Sequence, residues 1–101
     1  MSKNVIETVT FTLNDGVSRE DFVAAAMAMS AWVKERPGFL ARRLSCTEDG
    51  TWIEHVQWAD MNAAKAAAAE IGKAPGNAGF LAAINGPTVQ LMHSELEVAI
   101  G

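Results

Sequence analysis

From Val5 the chain alternates: Val5, Glu7, Val9, Phe11 and Leu13 share one parity, while Ile6, Thr8, Thr10 and Thr12 share the other. Successive side chains of a strand point to opposite faces, so this period of two predicts a first strand over 5–13, closed by Asn14-Asp15-Gly16. The period then changes. Phe22, Ala25, Ala26, Met29 and Val33 recur at spacings of three and four, a single stripe along a helix with Trp32 at its flank. Ser18 followed by Asp21 has the form of a capping box at the start of that helix. Arg36-Pro37-Gly38 ends it, because Pro37 disfavours helical geometry at Arg36 and Gly38 tolerates a positive φ.

Two strands follow, over 39–47 and 51–59, joined by Glu48-Asp49-Gly50, a three-residue hairpin loop with glycine at the left-handed position. If Thr47 pairs with Thr51, counting sets Cys46 opposite Trp52, Leu44 opposite Glu54, Arg42 opposite Val56 and Leu40 opposite Trp58, all on one largely apolar face. Asp60 is a good N-cap for a second helix from Met61, whose alanines combine high helix propensity with very small side chains. Gly72 and Pro75-Gly76 break that helix. A short piece over 78–84 carries Phe80, Leu81 and Ile84, and after Asn85-Gly86-Pro87 a last strand is predicted over 88–100.

The order β-α-β-β-α-β predicts a single α+β domain over 1–101 with the ferredoxin-like arrangement, a four-stranded antiparallel sheet with both helices on one face. The other face would show Ile6, Thr8, Thr10, Ala41, Arg43, Ser45, Ile53, His55 and Gln57. That surface is too apolar for water alone and too polar for a core, so a homodimer with two sheets face to face is expected.

Composition narrows the function classes. Half the residues are apolar and a fifth are charged, which is ordinary for a folded domain. The net charge of -4 leaves no basic stripe to neutralise a phosphate backbone, so nucleic acid is not an expected partner. The longest nearly uncharged run, 22–33, falls well short of the ~20 residues a membrane span needs. No basic region followed by an apolar one stands at the N-terminus, and a soluble cytoplasmic protein is expected. A single cysteine, Cys46, excludes an internal disulfide and is read as a small buried hydrophobe. Only two histidines are present, His55 and His93, far apart in sequence, so no metal site is expected.

Pro37-Gly38-Phe39-Leu40 with Arg43-Leu44, then Glu48-Asp49-Gly50-Thr51-Trp52, then Val56-Gln57-Trp58-Ala59-Asp60 ahead of an alanine-rich helix, resemble the antibiotic biosynthesis monooxygenase family of dimeric α+β barrel proteins. The likeness runs from about Val5 to Val98. It implies that two sheets close into a barrel while each protomer keeps a cavity between sheet and helices, where family members place substrates. It also implies an activity: oxygenation of an aromatic, quinol-type or other apolar small molecule without metal or flavin. The alternative is a non-catalytic dimer whose apolar pocket holds a small molecule unchanged. Haem degradation fits less well, because those relatives use a His and a Trp on the second helix and an Asn on the first strand. Here Met61 to Ile84 holds neither His nor Trp, and Val9 or Thr8 stands near the place of the Asn.

Parity selects the residues that face the implied cavity: Glu7 and Phe11 from the first strand, Arg42 from the second, Trp52, Glu54 and Trp58 from the third, and Leu91 and His93 from the last. Glu54 and Glu7 are the strangest of these, since an ionised carboxylate among apolar neighbours costs several kcal/mol unless paired. Such a group is expected either to form an ion pair with Arg42, Lys34 or Lys65, or to act as a desolvated base towards a phenolic or enolic substrate. Imidazole changes charge near neutral pH, which makes His93 the second candidate for catalysis. Arg42 would stabilise a substrate anion, Trp52 and Trp58 would be flat walls, and Glu7, Phe11 and Leu91 would complete the ligand contacts. His55 is expected at the interface between protomers.

Overall fold

A computed structural model describes residues 3–101. Seven main elements follow one another: β1 (Val5–Phe11), α1 (Arg19–Val33), β2 (Phe39–Cys46), β3 (Trp52–Trp58), α2 (Met61–Glu70), α3 (Ala78–Ala83) and β4 (Gln90–Glu95). The strands form one antiparallel sheet in the order β2-β3-β1-β4, the ferredoxin-like topology. No helix among the described residues is long and apolar enough to cross a membrane.

Both long helices begin as their caps dictate. The Ser18 hydroxyl accepts the Asp21 backbone N–H at 3.0 Å, and the Asp60 carboxylate accepts that of Ala63 at 2.8 Å, each satisfying a donor the helix leaves without a partner. Gly38, at φ +81°, turns the chain from α1 into β2, and its carbonyl accepts the Ala59 N–H at 2.8 Å. A Cβ there would lie 2.6 Å from that of Ala63, so a side chain is excluded by geometry and by space. Gly50, at φ +91°, closes the β2–β3 hairpin as its sequence suggests.

The register agrees with the counted pairs from Cys46↔Trp52 through Leu44↔Glu54 to Arg42↔Val56. Beyond Ala41 a bulge intervenes, and Phe39 rather than Leu40 lies opposite Trp58. The expectation for Leu40 is therefore corrected: the extra residue of the bulge turns Leu40 outward, 48% exposed, and lets the Phe39 ring meet Trp58 edge-on at 6.0 Å.

Several strand ends also differ from the alternation. β1 stops at Phe11 because the next residues leave the sheet: Thr12 donates its N–H to the Thr88 hydroxyl, and Leu13 forms a lone bridge with Ile84. Thr47 and Thr51 lie just outside β2 and β3, although the Thr47 N–H still reaches the Thr51 carbonyl at 2.8 Å. β4 spans only Gln90–Glu95, not 88–100. Pro87 sits in a 3-10 turn over Gly86–Thr88, and past Leu96, whose N–H reaches the Asn4 carbonyl, no strand among the described residues extends the ladder, since β1 begins at Val5.

The core divides in two. At one end Phe11, Phe22, Ala26, Met29, Trp52 and Phe80 pack together, with Phe22 edge-on to Trp52 at 4.8 Å and stacked on Phe80 at 4.9 Å. At the other end Val56 and Trp58 meet Val33, Ala64 and Ala67. Glu54 falls between Trp52 and Val56 on the same face of β3, at the seam between the two clusters.

Candidate functional site

The alternation of β3 sends Trp52, Glu54, Val56 and Trp58 under the helices, all nearly inaccessible, and leaves His55 exposed on the open face. Glu54 is 5% exposed, and such a carboxylate needs a partner. Arg42 supplies it from the neighbouring strand. The Arg42 Nε–H lies 3.0 Å from both carboxylate oxygens and one Nη2–H donates to Oε1 at 2.7 Å, a fork-to-fork pair with both side chains more than nine-tenths buried. Its Nη1 group donates to the Ala26 carbonyl at 2.6 Å and to the Ser30 hydroxyl at 2.8 Å. One guanidinium thus joins the sheet to the middle of α1.

Pairing does not fully offset burial. Removal from water pushes the Glu54 carboxyl above the ordinary value of 4.5, the hydrogen bonds and charge of Arg42 pull it back, and the negative charge of Glu7 raises it again. The net displacement is upward. A carboxylate so placed takes a proton more readily than one in water.

Beside this pair lies a cavity of about 210 Å³ between the sheet and the helices. Its walls are almost wholly apolar, with Phe11, Val56 and Trp58 from the sheet and Met29, Ala67 and Phe80 from the helical layer. Glu7 and Glu54 are the two charged residues in that lining. Leu91 also lines it and is 53% exposed, so the cavity opens past β4. Glu7 is held on both sides: the Trp58 indole N–H donates to Oε1 at 3.3 Å, and His93 Nε2 lies 3.2 Å from Oε2. β1 and β4 set Glu7 directly opposite His93, which brings two groups remote in sequence together.

The predicted site residues therefore separate. Glu54, Glu7, Phe11, Trp58 and Leu91 line the cavity. His93 stands behind Glu7 and reaches the cavity only through it. Two expectations are corrected: Trp52 is consumed by the aromatic cluster with Phe22, and Arg42 points across Glu54 to α1, so neither is a wall of this cavity. The Trp52 displacement follows from α1, whose Phe22 fills the space above it. Lys34 and Lys65 form no ion pair with Glu54 among the described residues.

Sequence reasoning missed Ser30, which anchors Arg42; the signal was a hydroxyl beside the apolar stripe of α1. It also missed Asn77, wholly buried, whose amide N–H donates to the Ile71 carbonyl at 3.0 Å while Oδ1 has no hydrogen-bond partner among the described residues. Nothing in its neighbourhood of Pro75, Gly76 and Ala78 announces burial. Among the described residues no group of three or more His, Cys, Asp or Glu is placed to hold a metal ion.

The electrostatics carry a sign that can be measured. Between 4.5 and the native midpoint of Glu54, the folded state holds more protons than the unfolded one, so this group's contribution to stability falls as pH rises through that window. Carbon-13 detection of the Glu54 side-chain carboxyl should give a midpoint above 4.5. A midpoint at or below that value would mean that Arg42 overcomes desolvation.

No protein-family model matches the chain, and no curated protein does. Solved structures do resemble it. A variant of SnoaB, a cofactor-independent oxygenase from Streptomyces nogalater, superposes with a TM-score of 0.78 at 19% identity, covering 98% of each chain. A monooxygenase from the gene ActVA-Orf6 of Streptomyces coelicolor, in complex with nanaomycin D, gives 0.68 at 21% identity, over 97% of this chain and 91% of that one. A Bordetella bronchiseptica protein described as a candidate antibiotic biosynthesis monooxygenase gives 0.78 at 12% identity, over 96% and 100%. At such identities the likeness is one of architecture, and the chain has the ferredoxin-like α+β fold seen in the antibiotic biosynthesis monooxygenases.

Proposed function

We propose that the cavity binds a small, flat, mostly apolar molecule with an acidic hydroxyl, and that the protein is a cofactor-independent monooxygenase for it. The observation that carries this reading is an apolar cavity with a carboxylate of raised proton affinity in its wall. At about 210 Å³ the space lies below the roughly 300–1,000 Å³ of drug-sized pockets, which suits a body of one or two rings. The architecture shared with a cofactor-independent oxygenase supports the reaction class.

In this reading Glu54 takes the proton of the substrate hydroxyl, and the resulting anion is the electron donor. One electron passes to dioxygen, the radical pair closes a carbon–oxygen bond, and the peroxide regains a proton from Glu54. The ring C–H proton and the outer oxygen, as hydroxide, then leave together as water. The balance is hydroxyarene plus dioxygen to quinone plus water. Apolar walls favour the electron transfer by keeping bulk water from the anion and by holding the ring in one orientation. Glu7, fixed by Trp58 and His93, receives a second hydroxyl of the substrate; His93 is a positioning residue that acts through Glu7.

Binding without turnover is the second reading, favoured by how few polar groups meet the cavity. Haem is a poorer fit, since no histidine or cysteine lines the cavity. We further propose a second copy of the chain as the cover of the open sheet face, where Ile6, Thr8, Thr10 and Ile53 are only partly buried and Met92 is 63% exposed.

Oxygen uptake over a panel of naphthols and quinols decides between turnover and binding. The wild type should consume oxygen with at least one of them, and Glu54→Gln should lower kcat by about a hundredfold with a smaller change in KM. Tight retention of panel members with no oxygen uptake would leave the binding reading alone. Sedimentation equilibrium should return twice the 10.8 kDa protomer mass; the protomer mass at micromolar concentration would remove the homodimer.

A further inference from the structure

A second hollow, of about 300 Å³, lies on the far side of the Arg42–Glu54 pair, between α1 and the outer edge of β2. We propose that this groove is a separate binding site for a small organic anion with a flat apolar body, such as an aromatic carboxylate. Its lining contains two arginines, Arg19 and Arg42, and no carboxylate, in a chain whose net charge is -4. Glu54 balances the charge of Arg42, so Arg19 is the cation of the groove without an ion-pair partner among the described residues, and a cation so placed beside apolar walls favours anions.

The placement of Arg19 has no structural purpose of the usual kind. It is the first residue of α1, where a cation opposes the helix dipole, and among the described residues it takes part in no ion pair. Its guanidinium lies over the Trp52 ring, 5.7 Å from the centroid. The Arg19 guanidinium makes no hydrogen bond among the described residues, so its N–H groups remain to meet a ligand. At the floor, Arg42 spends four of its five N–H groups on Glu54, Ala26 and Ser30, so one hydrogen on Nη2 is without a partner among the described residues. The side chain that carries it is 8% exposed.

The walls supply the apolar half of the recognition. Val23 and Met27 follow Arg19 at intervals of four, which puts all three on one side of α1, and they are 40% and 70% exposed. Leu44 faces them from β2. A flat ring laid against Val23, Met27 and Leu44, with its carboxylate on Arg19, covers apolar surface that the fold leaves in water and neutralises a cation that the fold leaves unpaired. The groove and the cavity share the ion pair as a partition: Arg42 lines one and Glu54 the other.

Methionine methyl groups distinguish the two hollows, because Met27 lines the groove, Met29 lines the cavity, and Met92 lies on the sheet. The full chain labelled with carbon-13 at its methionine methyls, titrated with 2-naphthoate, should shift Met27 and leave Met29 and Met92 in place. The uncharged isostere 2-naphthamide should bind about fivefold more weakly, as expected for one exposed charge contact. Arg19→Gln should abolish that preference and Arg19→Lys restore it; both replace an exposed side chain, and an unchanged Met29 signal verifies that the core is intact. The proposal is overturned if 2-naphthoate shifts Met29 or Met92 instead of Met27, if Met27 is unmoved into the millimolar range, or if the amide binds as well as the acid. These outcomes concern the groove alone, so failure of the oxygenase reading leaves them unaffected.

Discussion

A buried charge that must be compensated governs how this domain is assembled. A chain of 101 residues has little interior to spare, and this one places Glu54 at its middle, between two clusters of aromatic and aliphatic side chains. Taking a carboxylate out of water costs several kcal/mol, and Arg42 returns most of that through three short contacts in a geometry that a lysine could not reproduce. The same guanidinium crosslinks β2 to the Ala26 carbonyl and Ser30 hydroxyl of α1. Sheet and helix are thereby aligned by a polar contact as well as by packing. Desolvation still pushes the Glu54 carboxyl above its ordinary range against the pull of Arg42, and a group held in such an imbalance is suited to exchanging protons.

The cavity arises from a second constraint, the small side chains of α2. Ala64 and Ala67 are the buried residues of that helix, and Ala63 lies close enough to Gly38 to exclude a methyl group there. Alanine lets α2 approach the sheet near Trp58 while failing to fill the space beside Phe11 and Met29. Unfilled apolar volume forfeits dispersion contacts, so a domain of marginal stability does not carry it without loss. Occupation by a ligand restores those contacts. Two carboxylates stand in its wall, one braced by Arg42 and the other by Trp58 and His93, an arrangement that suits the hydroxyl-bearing occupant proposed above.

Much of this was legible in the sequence because period two and period 3.6 are strong signals at Val5–Phe11, Trp52–Trp58 and Arg19–Val33, and because Gly38, Gly50 and Asp60 mark their boundaries chemically. Antiparallel counting from one hairpin was sufficient to bring Arg42 near Glu54, a contact between adjacent strands. It failed at Leu40, since a bulge adds a residue without any trace in the pattern. β4 was overextended because apolar residues such as Val98 and Ile100 continue the composition of a strand after the partner strand has ended. Parity told which residues lie under the helices but not which of them meet empty space. Trp52 and Trp58 share a face of β3, and only the position of Phe22 on α1 decides that one is filled over and the other is a wall. The groove beside β2 was invisible to the sequence for the same reason, because it depends on the distance between a helix and a sheet edge.

If Arg42 and Glu54 act as one buried unit, a double-mutant cycle on unfolding free energy will register their coupling. Arg42→Met and Glu54→Gln should each destabilise the protein by about 3 kcal/mol, because each leaves the other group buried and unpaired. The double variant should then lose far less than their sum, with a coupling of about 2 kcal/mol or more. Losses that add to within about 0.5 kcal/mol would show the two groups to be independent and would contradict the account.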